Sequence, residues 1–241
     1  TQVTCVFSQS CILPCNVHGS SDPLIHWTHL TSDDSNVHSY YDGRDQLGYQ
    51  NQNFSGRTSL FKDQIATGNA SLLLKGAKVQ DEGTYRCHTS TISGNKQFFI
   101  HLKVEAPVSK VSISQVGNRI ICSSERIYPR PELTWSTIPP SNICAYIMTT
   151  VQRTEEQLYS VSSSLMVSDD DPDLIYSCTV KTRTNKKRAT YKFRKSPTAE
   201  HGMHIVVKIM IAIIGLSPVI CTVIAELMNR RCKNWTKENY H

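Results

Sequence analysis

The chain has 241 residues, enough for about two domains of ordinary size. Its net charge of +6 is unevenly spread: residues 1–105 carry 8 basic and 9 acidic side chains, and residues 106–197 carry 13 and 8. So neutral a first half argues against a nucleic-acid binder, and nine cysteines without a C-x-x-C pair argue against zinc and for disulfides of an oxidising compartment.

In chain order, Cys5 and Cys11 come first; a bridge closing the first hairpin is expected, the alternative being two free thiols. Period-two alternation then marks strands at LIHWTHL (24–30), VHSYY (37–41), SGRTSLF (55–61), ASLLLKG (70–76), GTYRCHTS (83–90) and QFFIHLKVE (97–105). In DEGTYRC (81–87), Gly83, Tyr85 and Cys87 fall on one buried face and the acids ahead of them form the turn leading in. Parity assigns the opposite face as well. With Ile25, Trp27, Tyr85, Cys87, Ile100, Leu102 and Val104 inward, the outward set is His26, Thr28, Arg86, His88, Ser90, Phe99, His101 and Lys103. An outward phenylalanine among polar neighbours has the character of an interface anchor, against the alternative of one stray exposed aromatic. His26, His88 and His101 lie on neighbouring strands, which raises the expectation of pH-dependent binding; no metal site is expected of them.

EAPVSK (105–110) is the linker to a second set of strands, NRIICSS (118–124), ELTWST (132–137) and LIYSCTVKT (174–182), with YPRP (128–131) as the bend between the first two. Cys144 has no evident mate and is either a buried small hydrophobe or an interchain bridge making a homodimer. KTRTNKKRATYKFRK (181–195) holds eight basic residues on a hairpin, suited to sulfated glycans or acidic headgroups, or simply solvated. After a stalk over 198–204, IVVKIMIAIIGLSPVICTVIAEL begins a membrane span over 205–228; its 23 residues reach about 34 Å as a helix. Lys208 can snorkel, and Pro218 is tolerable in such a helix. In the tail, 229–241, Cys232 is a palmitoylation candidate and the NWT sequon at Asn234 is expected to stay bare. No charged leader opens the sequence, so a signal peptide is expected to have been removed.

One spacing occurs twice. Cys15 is followed by Trp27 and by Tyr85-x-Cys87; Cys122 is followed by Trp135 and by Tyr176-x-Cys178. This resembles the immunoglobulin signature, which implies disulfides Cys15–Cys87 and Cys122–Cys178 over the core tryptophans Trp27 and Trp135, with Tyr85 at a tyrosine corner. A cysteine separation of 72 suits a variable-type sandwich and one of 56 a constant-type sandwich. The predicted fold is therefore all-β: two tandem immunoglobulin sandwiches, variable-type over 1–105 and constant-type over 106–197, followed by one transmembrane α-helix. Resemblance to variable domains further implies that Arg57 pairs with Asp81. The sequons at Asn53 and Asn69 would place sugars near the connections flanking the strand SGRTSLF, shielding the sheet opposite the outward set.

CILPC, IHW, VHSYYDGRDQL, GRTSLF, GNASLLL and DEGTYRC, with YPRPELTW in the second half, resemble the B7 and butyrophilin family of T-cell costimulatory and coinhibitory ligands. The resemblance implies a single-pass type I plasma-membrane protein, its ectodomain outside. Its partner would be an immunoglobulin-superfamily receptor on T cells or other lymphocytes, bound through the GFCC′ sheet of the first domain. Homophilic or heterophilic adhesion and glycosaminoglycan binding are the alternatives. No H-E-x-x-H, G-x-S-x-G or phosphate-binding glycine loop is present, so neither catalysis nor a cofactor is expected.

Overall fold

Strands form where branched and aromatic residues alternate with polar ones. The computed structural model describes residues 1–17, 22–31, 33–141, 147–167 and 174–193, and sixteen strands lie among them. In the first sandwich β1 (Gln2–Val6), β3 (Leu24–Leu30), β4 (Ser35–Tyr41), β5 (Arg44–Asp45), β8 (Gly83–Thr91) and β9 (Gly94–Glu105) form one sheet, ordered β1-β9-β8-β3-β4-β5. Facing it are β2 (Cys11–Leu13), β6 (Thr58–Leu60) and β7 (Leu72–Leu74), ordered β2-β7-β6. β1 runs parallel to β9 along His101–Glu105, and β5 closes the other end with only two residues. The β4–β5 hairpin turns on Asp42 and Gly43, at φ 52° and 69°, the mirror-type turn that strand twist favours.

Two strands are shorter than the alternation predicts. The one expected over 70–76 starts only at Leu72, because the Ser71 N–H is diverted to Asn69 Oδ1 at 2.9 Å. The one expected over 55–61 starts at Thr58, after Gly56 turns at φ 69°. A single helical turn, α1 (Lys62–Ile65), follows it.

The second sandwich packs β10 (Ser112–Val116), β11 (Arg119–Ile127), β14 (Tyr159–Met166) and β13 (Ile147–Arg153), in the order β10-β11-β14-β13, against β12 (Glu132–Ile138), β15 (Ile175–Lys181) and β16 (Lys186–Lys192). This is the four-plus-three division of a constant-type sandwich. The bend at 128–131 joins β11 to β12.

Cys15 bonds to Cys87 and Cys122 to Cys178, each with Cα atoms 6.4 Å apart, and Cys5 bonds to Cys11. In both sandwiches the tryptophan stands directly across the sheet from the second cysteine, Trp27 beside Cys87 and Trp135 beside Cys178. Trp27 is wholly buried and donates its indole N–H to Ala70 O at 3.1 Å; Trp135 is half-buried and donates to Ser163 Oγ at 2.9 Å. The sandwiches meet at a two-residue bridge in which Ala106 and Tyr128 exchange both backbone hydrogen bonds, over an apolar cluster of Val79, Ala106 and Leu158.

Cys144, Cys232 and Asn234 lie outside the described residues, as do the predicted stalk, span and tail. Among the described residues no helix is long and apolar enough to cross a membrane.

At the base of the first sandwich the side chain of Asp81 is 2% exposed and forms an ion pair with Arg57. The carboxylate also accepts the Lys78 N–H at 2.8 Å, while the guanidinium donates to the carbonyls of Asn53, Lys75 and Gly76. Tyr85 hangs from the same turn, donating its hydroxyl to Asp81 O at 2.8 Å. The glycine of the motif is needed here: Gly83 has φ 146°, and a Cβ would collide with His29 Nε2 of the imidazole stacked on Tyr85. Arg57→Ala strands the buried carboxylate, with an expected cost of about 3–5 kcal/mol. Urea denaturation checks it: the midpoint drops with the slope unchanged, and an unmoved midpoint would mean that the backbone donors suffice for Asp81.

Candidate interaction face

The outer face of the six-stranded sheet is built in rows across β9, β8, β3 and β4. One row is Phe99, Arg86, Thr28 and Asn36; the next is Gln97, His88, His26 and Ser39; the third is Asn95, Ser90 and Leu24. His101 stands opposite Thr84, on the far side of the Phe99 row, and Lys103 continues along β9.

Phe99 is 47% exposed, an aromatic ring with open solvent on a flat strand. Arg86 beside it reaches across β3 to Asp34 Oδ2 at 3.4 Å. That crossing corrects one predicted contact. Thr28 lies on the outer face by parity but is only 2% exposed, because Arg86 passes over it and a bulge between Trp27 and Thr28 crowds β4 against it. Thr28 therefore supports the face from beneath and offers a partner no surface.

The three histidines form a pair and an outlier. His26 and His88 stand directly opposite each other, with His26 Nδ1 2.8 Å from Ser39 Oγ, whereas His101 is two rows away and 3.0 Å from Thr84 Oγ1. The His26 pKa lies below its ordinary value, through burial first and then the charges of Arg86 and His88. The shift disfavours the protonated form of His26.

Three apolar side chains on or beside this face were not among the predicted contacts. Leu24 and Tyr41 are both 39% exposed, and both line a shallow hollow with Asp22, Pro23 and Asp42. Ile92 projects fully into solvent from the two-residue turn between β8 and β9. Leu24 shares the parity of His26 and was legible; Ile92 sits in a turn, where parity carries no signal. Of the sequons, Asn53 is exposed in a 3-10 turn between β5 and β6, and Asn69 is half-buried between α1 and β7, its Nδ2 donating to Gln64 Oε1 at 2.8 Å. Both precede strands of the opposite sheet.

Residues 1–105 match the immunoglobulin V-set domain and residues 102–189 the CD80-like C2-set immunoglobulin domain. The chain is a member of the immunoglobulin superfamily. Its relatives are immune ligands of the B7/butyrophilin family. Human HERV-H LTR-associating protein 2 is 32% identical over 203 residues, 80% of this chain and 45% of that protein. Human V-set domain-containing T-cell activation inhibitor 1 is 35% identical over 104 residues, 42% of this chain and 37% of that protein. The chain thus spans less than half the length of either. The crystal structure of bovine butyrophilin shares the fold, with a TM-score of 0.64 at 23% identity over 80% of this chain and 95% of that one.

His29 and His38 also have lowered pKa values, burial being the main cause in each; Asp45, 3.2 Å from His38 Nε2, offsets part of the shift. The sign follows directly. Unfolding frees these imidazoles to take protons near pH 6.5, so the unfolded chain binds more protons than the native one and stability falls as pH drops through that value. Denaturation midpoints at pH 7.5 and 5.5 are expected to show the loss, and a His26→Gln, His38→Gln double variant to flatten it. An equal slope in the variant would place the loss elsewhere.

Proposed function

We propose that the chain is a cell-surface ligand that regulates lymphocyte activation by presenting the outer face of its first sandwich, the GFCC′ sheet, to an immunoglobulin-superfamily receptor. The observation that carries this reading is Phe99, an exposed aromatic amid Arg86, His88, His101 and Lys103 on the outer face of the sheet. Aromatic and arginine side chains in a desolvated centre supply most of the energy of such contacts. β1 covers β9 only over His101–Glu105, so the reading rests on the outward side chains of β9, β8 and β3 rather than on the sheet edge. A relative named as a T-cell activation inhibitor matches over a stretch of first-domain length, which supports placing the activity there. Anchoring by the span at 205–228, with residues 1–204 outside, completes the reading; sugars at Asn53 and Asn69 would sit away from the contact face.

The mechanism is contact without chemistry: docking in trans engages the receptor, and the receptor's own cytoplasmic part signals. The test is a screen of the cell-displayed chain against lymphocyte immunoglobulin-type receptors, followed by substitution. Phe99→Ala is expected to weaken receptor binding by about tenfold or more, and Ile12→Ala, at an exposed position on the opposite sheet, to leave it unchanged. The reverse pattern would move the contact to the other sheet. Self-association of the chain that is lost in Phe99→Ala would favour adhesion.

A further inference from the structure

At the joint of the two sandwiches lies an open hollow of about 500 Å³ with three cationic walls: Lys103 on β9, Arg130 in the bend before β12, and Arg183 in the turn between β15 and β16. Nearby cations are matched, Arg126 with Glu156 at 2.9 Å and Lys181 with Glu132 at 3.0 Å. The side chains of Lys103, Arg130 and Arg183 have no hydrogen bond or ion pair among the described residues. The one carboxylate in the wall, Glu82, is engaged on both oxygens, by the Tyr128 hydroxyl at 2.5 Å and the Val104 N–H at 2.9 Å. Three positive groups therefore face one negative group that is already turned inward.

The arrangement is held rather than loose. The turn carrying Arg183 is tied to the linker, with Thr184 Oγ1 donating to Glu105 at 2.9 Å and the Asn185 amide exchanging two hydrogen bonds of 3.1 Å with the Val108 backbone. Beyond it, β16 pairs Lys186 with Lys181 and Arg188 with Thr179, which puts both cations on the outer face of the three-stranded sheet and prolongs the charge into a band.

We propose that this hollow and band form a binding site for a sulfated glycosaminoglycan. Sulfate groups suit guanidinium forks, and an extended polyanion suits cations set in a line along an open cleft better than a small anion, which would want a closed cage. Lys103 is half-buried at the joint and Arg130 and Arg183 are exposed around it, so one extended polyanion can meet all three. Lys103 is shared with the receptor face, but Arg130 and Arg183 belong to the second sandwich, so the site does not depend on that reading.

The test displays the full chain on cells that make no glycosaminoglycan and stains them with fluorescent heparin, desulfated heparin, hyaluronan or phosphatidylserine vesicles, with an antibody to the chain reporting surface level. Heparin alone is expected to bind, and to be released by raised salt. A Lys103→Ala, Arg130→Ala, Arg183→Ala variant is expected to bind heparin about tenfold more weakly, with charge-retaining Lys103→Arg, Arg130→Lys, Arg183→Lys close to the parent and Phe99→Ala unaffected. Should the triple variant reach the surface poorly, Arg183→Gln in its exposed turn must still weaken binding by about threefold. Unchanged heparin staining in these variants would overturn the site. Equal staining by hyaluronan or desulfated heparin would overturn its sulfate chemistry, and vesicle binding equal to heparin and lost in the triple variant would make the ligand a membrane.

Discussion

The first sandwich depends on one covalent contact, the Cys15–Cys87 bridge with Trp27 set directly beside it across β3 and β8. Two sheets whose faces stack about 10 Å apart need something at the centre that both joins and fills the gap. The disulfide joins them, and the indole fills the space while its N–H is satisfied by Ala70 O on the opposite layer. Leu13, Leu72 and Leu74 then pack from one sheet against Ile25, Tyr85 and Ile100 from the other. The second sandwich repeats the register with Trp135 and Cys178, although its indole is less enclosed.

From that centre the face follows by alternation. A strand that must turn Ile25 and Trp27 inward cannot avoid turning His26 outward, and the same constraint on β8 and β9 exposes Arg86 and Phe99. The Arg57–Asp81 pair and the Tyr85 hydroxyl fasten the lower turn, so β8 enters the sheet in one register. A one-residue slip would bury Arg86 and expose Tyr85. The contact surface is thus the reverse side of the core, and its stiffness comes from the same bonds.

The joint between the sandwiches is polar and apolar at once. Tyr128 packs beside Val79, Ala106 and Leu158 while its hydroxyl donates to Glu82 across the boundary, and burial followed by that hydrogen bond pushes its pKa up to about 12. Phe7 meets the Arg126 guanidinium at 5.6 Å on another part of the boundary. A short linker with this much contact holds the cationic walls of the hollow in a fixed relation, which separate sandwiches on a free tether would not do.

The all-β class, the two sandwiches, the spacing of the bridged cysteines and the outward set on β3, β8 and β9 apart from Thr28 were legible in residue order, because disulfide spacing and strand alternation are local consequences of chain geometry. Thr28 was not: its burial comes from Arg86 lying across a neighbouring strand and from a bulge, and period-two reasoning sees neither. Ile92 escaped because a turn has no parity, and the Lys103, Arg130 and Arg183 hollow because its cations come from three segments distant in sequence. By itself the sequence determined which side of each strand would face the core; only the tertiary structure decided which outward residues remain open to a partner, since that depends on long side chains crossing between strands and on loops brought together at the joint.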